Sequence, residues 1–345
     1  MTARIVLVAT VAISLLSPAV APMGGALLGQ EGFGPGKRVL LDAHNAYPQN
    51  DRWRDRIERA LSTGLPVAIE QDLFWRKDRE QRFRIVVAHD TSELDRAPTL
   101  DGYFFQRIRP IMERAIAEQR RETWPLIVLN LDFKQNDAAL LDAVYRLLGQ
   151  YESWLTTAQR TSTPDVVEPL TVGPLLVLSG SNGAQRARFH DAVPVGERLR
   201  AFGAIPSAVA PGANDDEREA NMSRMPAEQI IAPKASNYAR WVNFPWLVVE
   251  PEGQTKAGDW SAADAARLEA LVRRAHAQHL WIRFYTLDGF LNGDGDGLTP
   301  SYDFGSDAAV KWRWRAAIEA GVDFIATDHY ERFHAARRER SARER

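Results

Sequence analysis

The chain has no cysteine among its 345 residues. That excludes disulfides, thiolate metal sites, a cysteine nucleophile and a cysteine-linked lipid anchor. It lacks a strong charge of either sign: 43 Lys and Arg stand against 45 Asp and Glu, a formal net charge of −2. So balanced a chain gives no electrostatic case for nucleic acid, and no zinc-finger or RNA-binding pattern is present. Beyond the N-terminus there is no apolar run of the roughly 20 residues that span a bilayer. A Gly-rich phosphate loop after the first strand-like segment is also missing, which removes the main sign of a dinucleotide-binding sheet.

What remains is ordinary globular composition, 45% hydrophobic and 26% charged, with enough length for a sizeable core. The opening "MTARIVLVATVAISLLSPAVAPMGGA" has one early cation, Arg4, then a short apolar run, Pro18 and the small residues Ala19-Val20-Ala21. This is the layout of a secretory signal peptide. Pro22 is a poor residue directly after a cut at Ala21, so cleavage falls later or the segment stays as an anchor. Residues 1–30 are therefore set apart from the fold, and an exported protein, periplasmic or secreted, is expected.

From residue 31 to 335, β-type runs alternate with helical ones. Strand-like runs are read at 39–43, 67–75, 84–89, 126–133, 175–179, 200–205, 246–249, 280–287 and 322–326. Helical patterns fall at 51–62, 101–119 (with Pro110 as a kink or break), 137–148, from about 183, at 262–278 and at 307–320. The segment 211–233 has no clear pattern. Residues 336–345, "ARRERSARER", form a charged tail that reads as a frayed helix or, more simply, a solvated terminus. Short apolar strands in series with helices predict a parallel sheet buried on both faces. Eight such units predict an α/β fold, a single (β/α)8 TIM-type barrel, with an open doubly wound sheet as the alternative.

In such a barrel, chemistry gathers at the C-terminal ends of strands. Those ends carry His44, the pair Glu70 and Asp72, His89, the pair Asp132 and Lys134, Arg283, and Asp328-His329. Glu70 and Asp72 share one face of a strand, and two adjacent carboxylates inside a barrel are costly unless a cation joins them. With Asp132 on the next strand they form an all-oxygen set suited to one Mg²⁺ or Ca²⁺. Two histidines beside them can serve as general base and general acid. Lys134 and Arg283 can neutralise an anionic group. Such an assembly fits a phosphodiester, with one oxygen to bind, one to activate and one to protonate as it leaves.

These residues carry a resemblance. "DAHNAYPQN…ALSTGLPVAIEQDLFW…IVVAHD" is similar to the opening of glycerophosphodiester phosphodiesterases, and "GVDFIATDHY" resembles their closing strand. The chain thus resembles the PLC-like phosphodiesterase superfamily over about residues 38–134 and 280–330. The resemblance implies a TIM-type barrel, hydrolysis of a small-molecule or lipid phosphodiester, and a divalent metal. It implies His44 and His89 as the catalytic pair, Glu70, Asp72 and Asp132 as metal carboxylates, and Lys134 as the lysine that follows them. Two positions depart from the glycerophosphodiesterase pattern. Asn45-Ala46 stands where Arg-Gly is usual, and Asp132 stands where Glu is usual. An Asp followed two later by Lys, like an Asn after the first histidine, resembles the sphingomyelinase D branch. Phosphatidylinositol-specific phospholipase C is a third relative with a histidine pair. Contact with a membrane surface is admitted by such substrates; no protein partner is expected.

Two other classes compete. One is a catalytically silent barrel that binds a lipid headgroup or a partner. The other is a metal-dependent barrel enzyme for non-phosphate substrates, which explains the carboxylates but not two histidines beside a lysine. A phospholipase D- or lyase-type reaction forming a cyclic phosphate is a variant of the main reading. Among the remaining features, "NGDGDG" at residues 292–297 reads as an acidic surface loop rather than a calcium loop, because no helix pair flanks it. Trp281 is read as core or pocket lining, and Trp312 and Trp314 as packing of their helix on the barrel. His276 and His279 are read as helix-end cations, His190 and His334 as surface residues, and His329 as a neighbour of the site at most.

Overall fold

The computed structural model describes residues 32–49, 52–206, 208, 210–250, 258–289 and 304–343. The leader at 1–30 and the loop at 292–297 lie outside the described residues. Eight parallel strands close into a barrel: β1 (Leu40–Ala43), β2 (Val67–Lys77), β3 (Ile127–Phe133), β4 (Leu175–Ser179), β5 (Phe202–Ala204), β6 (Ala239–Pro245), β7 (Trp281–Tyr285) and β8 (Phe324–Thr327). Each pairs with the next, and β8 returns to β1 with Leu40 opposite Phe324 and Ala43 opposite Thr327. The (β/α)8 barrel expected from the strand rhythm is the fold found.

The helices around it are α1 (Arg56–Ser62), α2 (Gln106–Glu118), α3 (Ala138–Gln150), α4 (Gly183–Arg186), α5 (Asp215–Met222), α6 (Ala227–Ile230), α7 (Ala262–Ala277), α8 (Asp307–Ala320) and α9 (Tyr330–Arg343). Their ends follow local chemistry. Ser261 and Asp264 form a reciprocal capping box at the start of α7. Ser306 caps α8, and Gly321 ends it in the left-handed conformation at φ 80°. Among the described residues, no helix is long and apolar enough to cross a membrane.

Strand alternation sorts side chains into two sets. Leu41, Ile69, Leu129 and Val177 face the helices and pack with Leu140, Val144 and Leu268. Leu40, Ala68, Val128, Leu176, Trp281 and Phe324 fill the lower barrel interior as one apolar cluster. Both faces are buried, which explains the unbroken apolar runs. Higher on the same inner faces the residues turn polar, and this places the site. Trp281 belongs to the core and stacks near Phe33, ring centres 5.0 Å apart. At β5, the shortest strand of the barrel, a Cβ on Gly203 would lie 2.3 Å from the Tyr238 ring, so only glycine fits there.

Several local expectations are corrected. The sixth strand is Ala239–Pro245, and Trp246–Val248 is a 3-10 turn, closed by Val249 N–H donating to the Trp246 carbonyl at 2.8 Å. The apolar run at 246–249 suggested a strand, while the true strand was obscured by Arg240 and Asn243. The segment 211–233 holds α5 and α6. Of the two readings of the charged tail, the helical one holds as far as Arg343, where the tail continues α9, with Ala336 buried and Arg337 donating to the Val39 carbonyl at 3.3 Å. Trp314 packs inward, but Trp312 is exposed. Pro110 sits inside α2, after a π-helical turn at Asp101–Phe105.

Candidate active site

The first corner of the site is the turn after β1. His44 N–H continues the ladder by donating to the Thr327 carbonyl at 3.2 Å. Asn45 then takes φ 51°, a left-handed conformation that Asn tolerates better than most side chains. This aims its N–H at Glu70 Oε2, 3.2 Å away. Arg56, fully buried on α1, donates to the Asn45 carbonyl at 2.7 Å, and Tyr330 Oη donates to the His44 carbonyl at 2.6 Å. The turn is therefore held from two helices.

The second and third corners follow from register. Glu70 lies opposite Asn130, and Asp72 opposite Asp132, on adjoining strands. Past Leu73, β2 leaves the barrel and pairs antiparallel with a strand at Phe83–Val87, with Leu73 opposite Val87. Ala88 N–H extends that ladder to the Asp72 carbonyl at 3.2 Å. The hairpin register thus delivers the next residue, His89, to Asp72, with Nδ1 3.2 Å from Oδ2.

The seven residues given a catalytic, metal-binding or substrate role from the sequence, His44, His89, Glu70, Asp72, Asp132, Lys134 and Arg283, line one pocket of about 250 Å³ at the C-terminal end of the strands. The oxygens of Glu70, Asp72 and Asp132 come within 4.8 Å of one another. Lys134 Nζ lies 2.9 Å from Asp72 and 2.6 Å from Asp132. Arg283 is almost wholly buried. Its Nε donates to Asp42 at 2.5 Å, and its Nη2 lies 3.1 Å from Glu70. Its first partners are therefore carboxylates of the protein itself.

The electrostatics follow from crowding. Burial opposes ionisation of Glu70, but Arg283, His44 and Lys134 outweigh it and hold its carboxyl down at about 2. Burial likewise opposes a charge on His44, yet Glu70, Asp288 and Asp328 push its imidazole up to about 10. The hydrogen bond to Asp72 raises His89, against the effect of partial burial. Burial also works against the Lys134 ammonium, and Asp72 and Asp132 more than offset it. Four carboxylates, Asp42, Glu70, Asp72 and Asp132, thus face two permanent cations, Arg283 and Lys134. The protonated His44 imidazole is a third cation at Glu70, and burial pushes the Asp42 and Asp132 carboxyls up, so the acids of the pocket are met largely by the protein's own cations.

Sequence reasoning named Asp328 at a strand end without giving it a role, and left out Asp288 and Tyr47, the other residues that hold the histidines. Asp328 Oδ1 sits 3.1 Å from His44 Nδ1, with Asp288 Oδ2 at 3.7 Å. Asp288 Oδ1 in turn accepts from the Asp328 N–H at 2.7 Å. Tyr47 Oη donates to Asp72 at 2.7 Å, lies 3.2 Å from His89 Nδ1 and closely contacts Asn45 Oδ1. The signal for Asp328 was present, because it ends the last strand and barrel closure puts that strand beside the first. His329, its neighbour, is buried but does not line the pocket. His276 pairs with Asp323 at 2.9 Å. His190 is buried rather than on the surface, its Nδ1 2.7 Å from Asp191.

No family model matches the chain, and no curated protein matches it. Among solved structures it is similar to a glycerophosphoryl diester phosphodiesterase from Parabacteroides distasonis ATCC 8503, at 14% identity over 90% of both chains with a TM-score of 0.40. A glycerophosphodiester phosphodiesterase from the same organism matches at 12% identity, covering 89% of this chain and 100% of its own, with a TM-score of 0.45. Plasmodium falciparum HPPK-DHPS with pteroate matches at 8% identity, covering 90% of this chain and 50% of its own, with a TM-score of 0.43. Overlaps at this level carry no chemistry across, and the site rests on its own side chains.

Proposed function

We propose that the protein is a metal-dependent phosphoric diester hydrolase acting on a glycerophosphodiester or a phospholipid headgroup. His44 and His89 are its acid–base pair. The observation that carries this reading is the gathering of both histidines, three carboxylates and Lys134 around one pocket.

Glu70, Asp72 and Asp132 would hold one Mg²⁺ or Ca²⁺, since their oxygens converge into an all-oxygen set. Bound there, the ion would draw charge from a non-bridging phosphate oxygen. The chain's own residues do the rest. Asp328 engages His44 Nδ1, which leaves Nε2, 3.4 Å from Glu70, to move a proton on the pocket side. Asp72 and Tyr47 engage His89 Nδ1 and leave its other nitrogen for the same work. One ring takes a proton from the attacking hydroxyl, of water or of the substrate itself. The other gives a proton to the departing alcohol oxygen. Lys134 neutralises the phosphate, and Arg283 fixes Glu70.

A second reading, a silent barrel that binds a headgroup, draws on the position of Lys134. Its ammonium already lies between Asp72 and Asp132 and serves as their counter-charge. One experiment separates the two. The purified protein is treated with EDTA, resupplied with Mg²⁺ or Ca²⁺, and assayed on glycerophosphodiesters, lysophospholipids, sphingomyelin and phosphatidylinositol. Metal-restored product from at least one diester is expected. No product from any of them favours the silent barrel.

A further inference from the structure

The pocket wall includes two side-chain amides, Asn130 and Asn243, that the acid–base chemistry leaves unused. Asn130 stands on β3 opposite Glu70 and two residues before Asp132, so its side chain shares their inner face. Asn130 is only 4% exposed, yet its amide has no hydrogen-bond partner among the described residues. Asn243 stands on β6 opposite Arg283 of β7, and Arg283 Nη1 donates to its Oδ1 at 3.0 Å. A guanidinium can only donate, so the oxygen end of this amide is fixed. Its Nδ2 is left as a donor with no partner among the described residues.

Other donors of the wall are already engaged. Lys134 lies between Asp72 and Asp132, and Arg283 is held by Asp42 and Glu70. The Asn45 amide donates to Asp328 at 3.2 Å, and Trp241 Nε1 donates to the Ser179 carbonyl at 2.9 Å. An enclosed amide without a protein partner marks a position where a bound molecule can supply one. The two amides also stand apart from the charged groups in kind and in place. The carboxylates and Lys134 crowd β2 and β3, whereas β6 lies across the barrel from β2. Gly180, which follows β4, adds no side chain to the wall between β3 and β6. A diester whose phosphorus sits at the carboxylates would extend its alcohol along this neutral wall. A hydroxyl both donates and accepts, which suits the free amide of Asn130 and the free Nδ2 of Asn243.

We infer that Asn130 and Asn243 bind hydroxyl groups on the alcohol half of the diester, so that the pocket selects diesters of a hydroxyl-bearing alcohol over diesters that have no hydroxyl. The inference rests on the diester reading above.

The test uses the full chain with Asn130→Ala and Asn243→Ala. Asn130→Leu and Asn243→Leu, closer to the original volume, serve where an alanine variant does not fold. Folding is followed by circular dichroism. With metal present, kcat/KM is compared on glycerophosphoglycerol, which carries hydroxyls, and on bis(p-nitrophenyl) phosphate, which has none. Each variant is expected to lose about tenfold or more on the first and less than about threefold on the second. A loss shared equally by both substrates, or absent from both, overturns the inference and leaves the diesterase reading standing. Binding without turnover is read by calorimetric titration of glycerol 3-phosphate and of inorganic phosphate. Each variant is expected to bind glycerol 3-phosphate about tenfold more weakly and inorganic phosphate within about twofold of the parent. A protein that hydrolyses no diester but shows this binding pattern refutes the enzyme reading and leaves the two contacts standing. Glycerol 3-phosphate binding that neither substitution weakens overturns the inference, and so does a protein that neither hydrolyses a diester nor binds glycerol 3-phosphate.

Discussion

Asp328→Asn tests how His44 is held. The Asp328 side chain has no solvent exposure, and its Oδ1 lies 3.1 Å from His44 Nδ1 and 3.5 Å from Arg56 Nη1. Burial alone would raise its pKa, but Arg56 and His44 reverse that and keep the carboxyl below its ordinary range. The charge is therefore present at neutral pH, and the amide removes it without changing shape. Removing one partner of a buried ion pair costs about 3–5 kcal/mol. Asn retains one acceptor oxygen, which places the loss near the lower end. At about 2–4 °C per kcal/mol for chains of 150–250 residues, melting should fall by several degrees. Activity should fall further, because His44 loses the carboxylate that fixes its tautomer. General acid–base catalysis contributes about 10²- to 10⁴-fold, equivalent to about 3–5 kcal/mol of barrier. The assay is turnover of bis(p-nitrophenyl) phosphate at saturating metal, with melting followed by circular dichroism. A folded variant with activity within about threefold of the parent would refute the role given to Asp328.

Two further substitutions probe the scaffold beneath the pocket. Arg283→Met leaves Asp42 and Glu70 buried without their counter-charge, at a cost of about 3–5 kcal/mol in urea unfolding. The double variant with Asp42→Asn should recover part of that cost, and a purely additive double variant would deny the coupling. Gly203→Ala places a Cβ against the buried Tyr238 ring and should destabilise by about 1–3 kcal/mol, whereas an unchanged melting curve would show that the ring moves aside freely.

The barrel was legible because its strands are apolar on both faces and its helices carry clear stripes. Legibility failed where the interior turned polar. β6 contains Asn243 at the pocket and Arg240, whose guanidinium reaches the Glu168 carbonyl at 2.8 Å, so its run was too polar to stand out. The seven candidate residues could be named because each is a polar side chain on or just after an apolar strand, and register then brought them to one pocket. Asp328 also ends a strand, yet 284 positions separate it from His44, and only closure of β8 onto β1 makes them neighbours. Tyr47 follows β1 by a turn whose direction depends on the left-handed backbone of Asn45, a detail that no periodicity carries. His190 looked like a surface residue between Arg188 and Asp191, but a π-helical turn directs its ring inward against Tyr238.

His44 and His89 are proposed to divide two proton transfers on a phosphodiester, one from the attacking hydroxyl and one to the leaving oxygen. This division is tested most directly by single-turnover hydrolysis of bis(p-nitrophenyl) phosphate by His44→Ala and His89→Ala, with metal present and folding confirmed by melting. Each variant is expected to lose about 10²- to 10⁴-fold in rate while it stays folded. Parental activity in either one, at unchanged stability, would contradict the account.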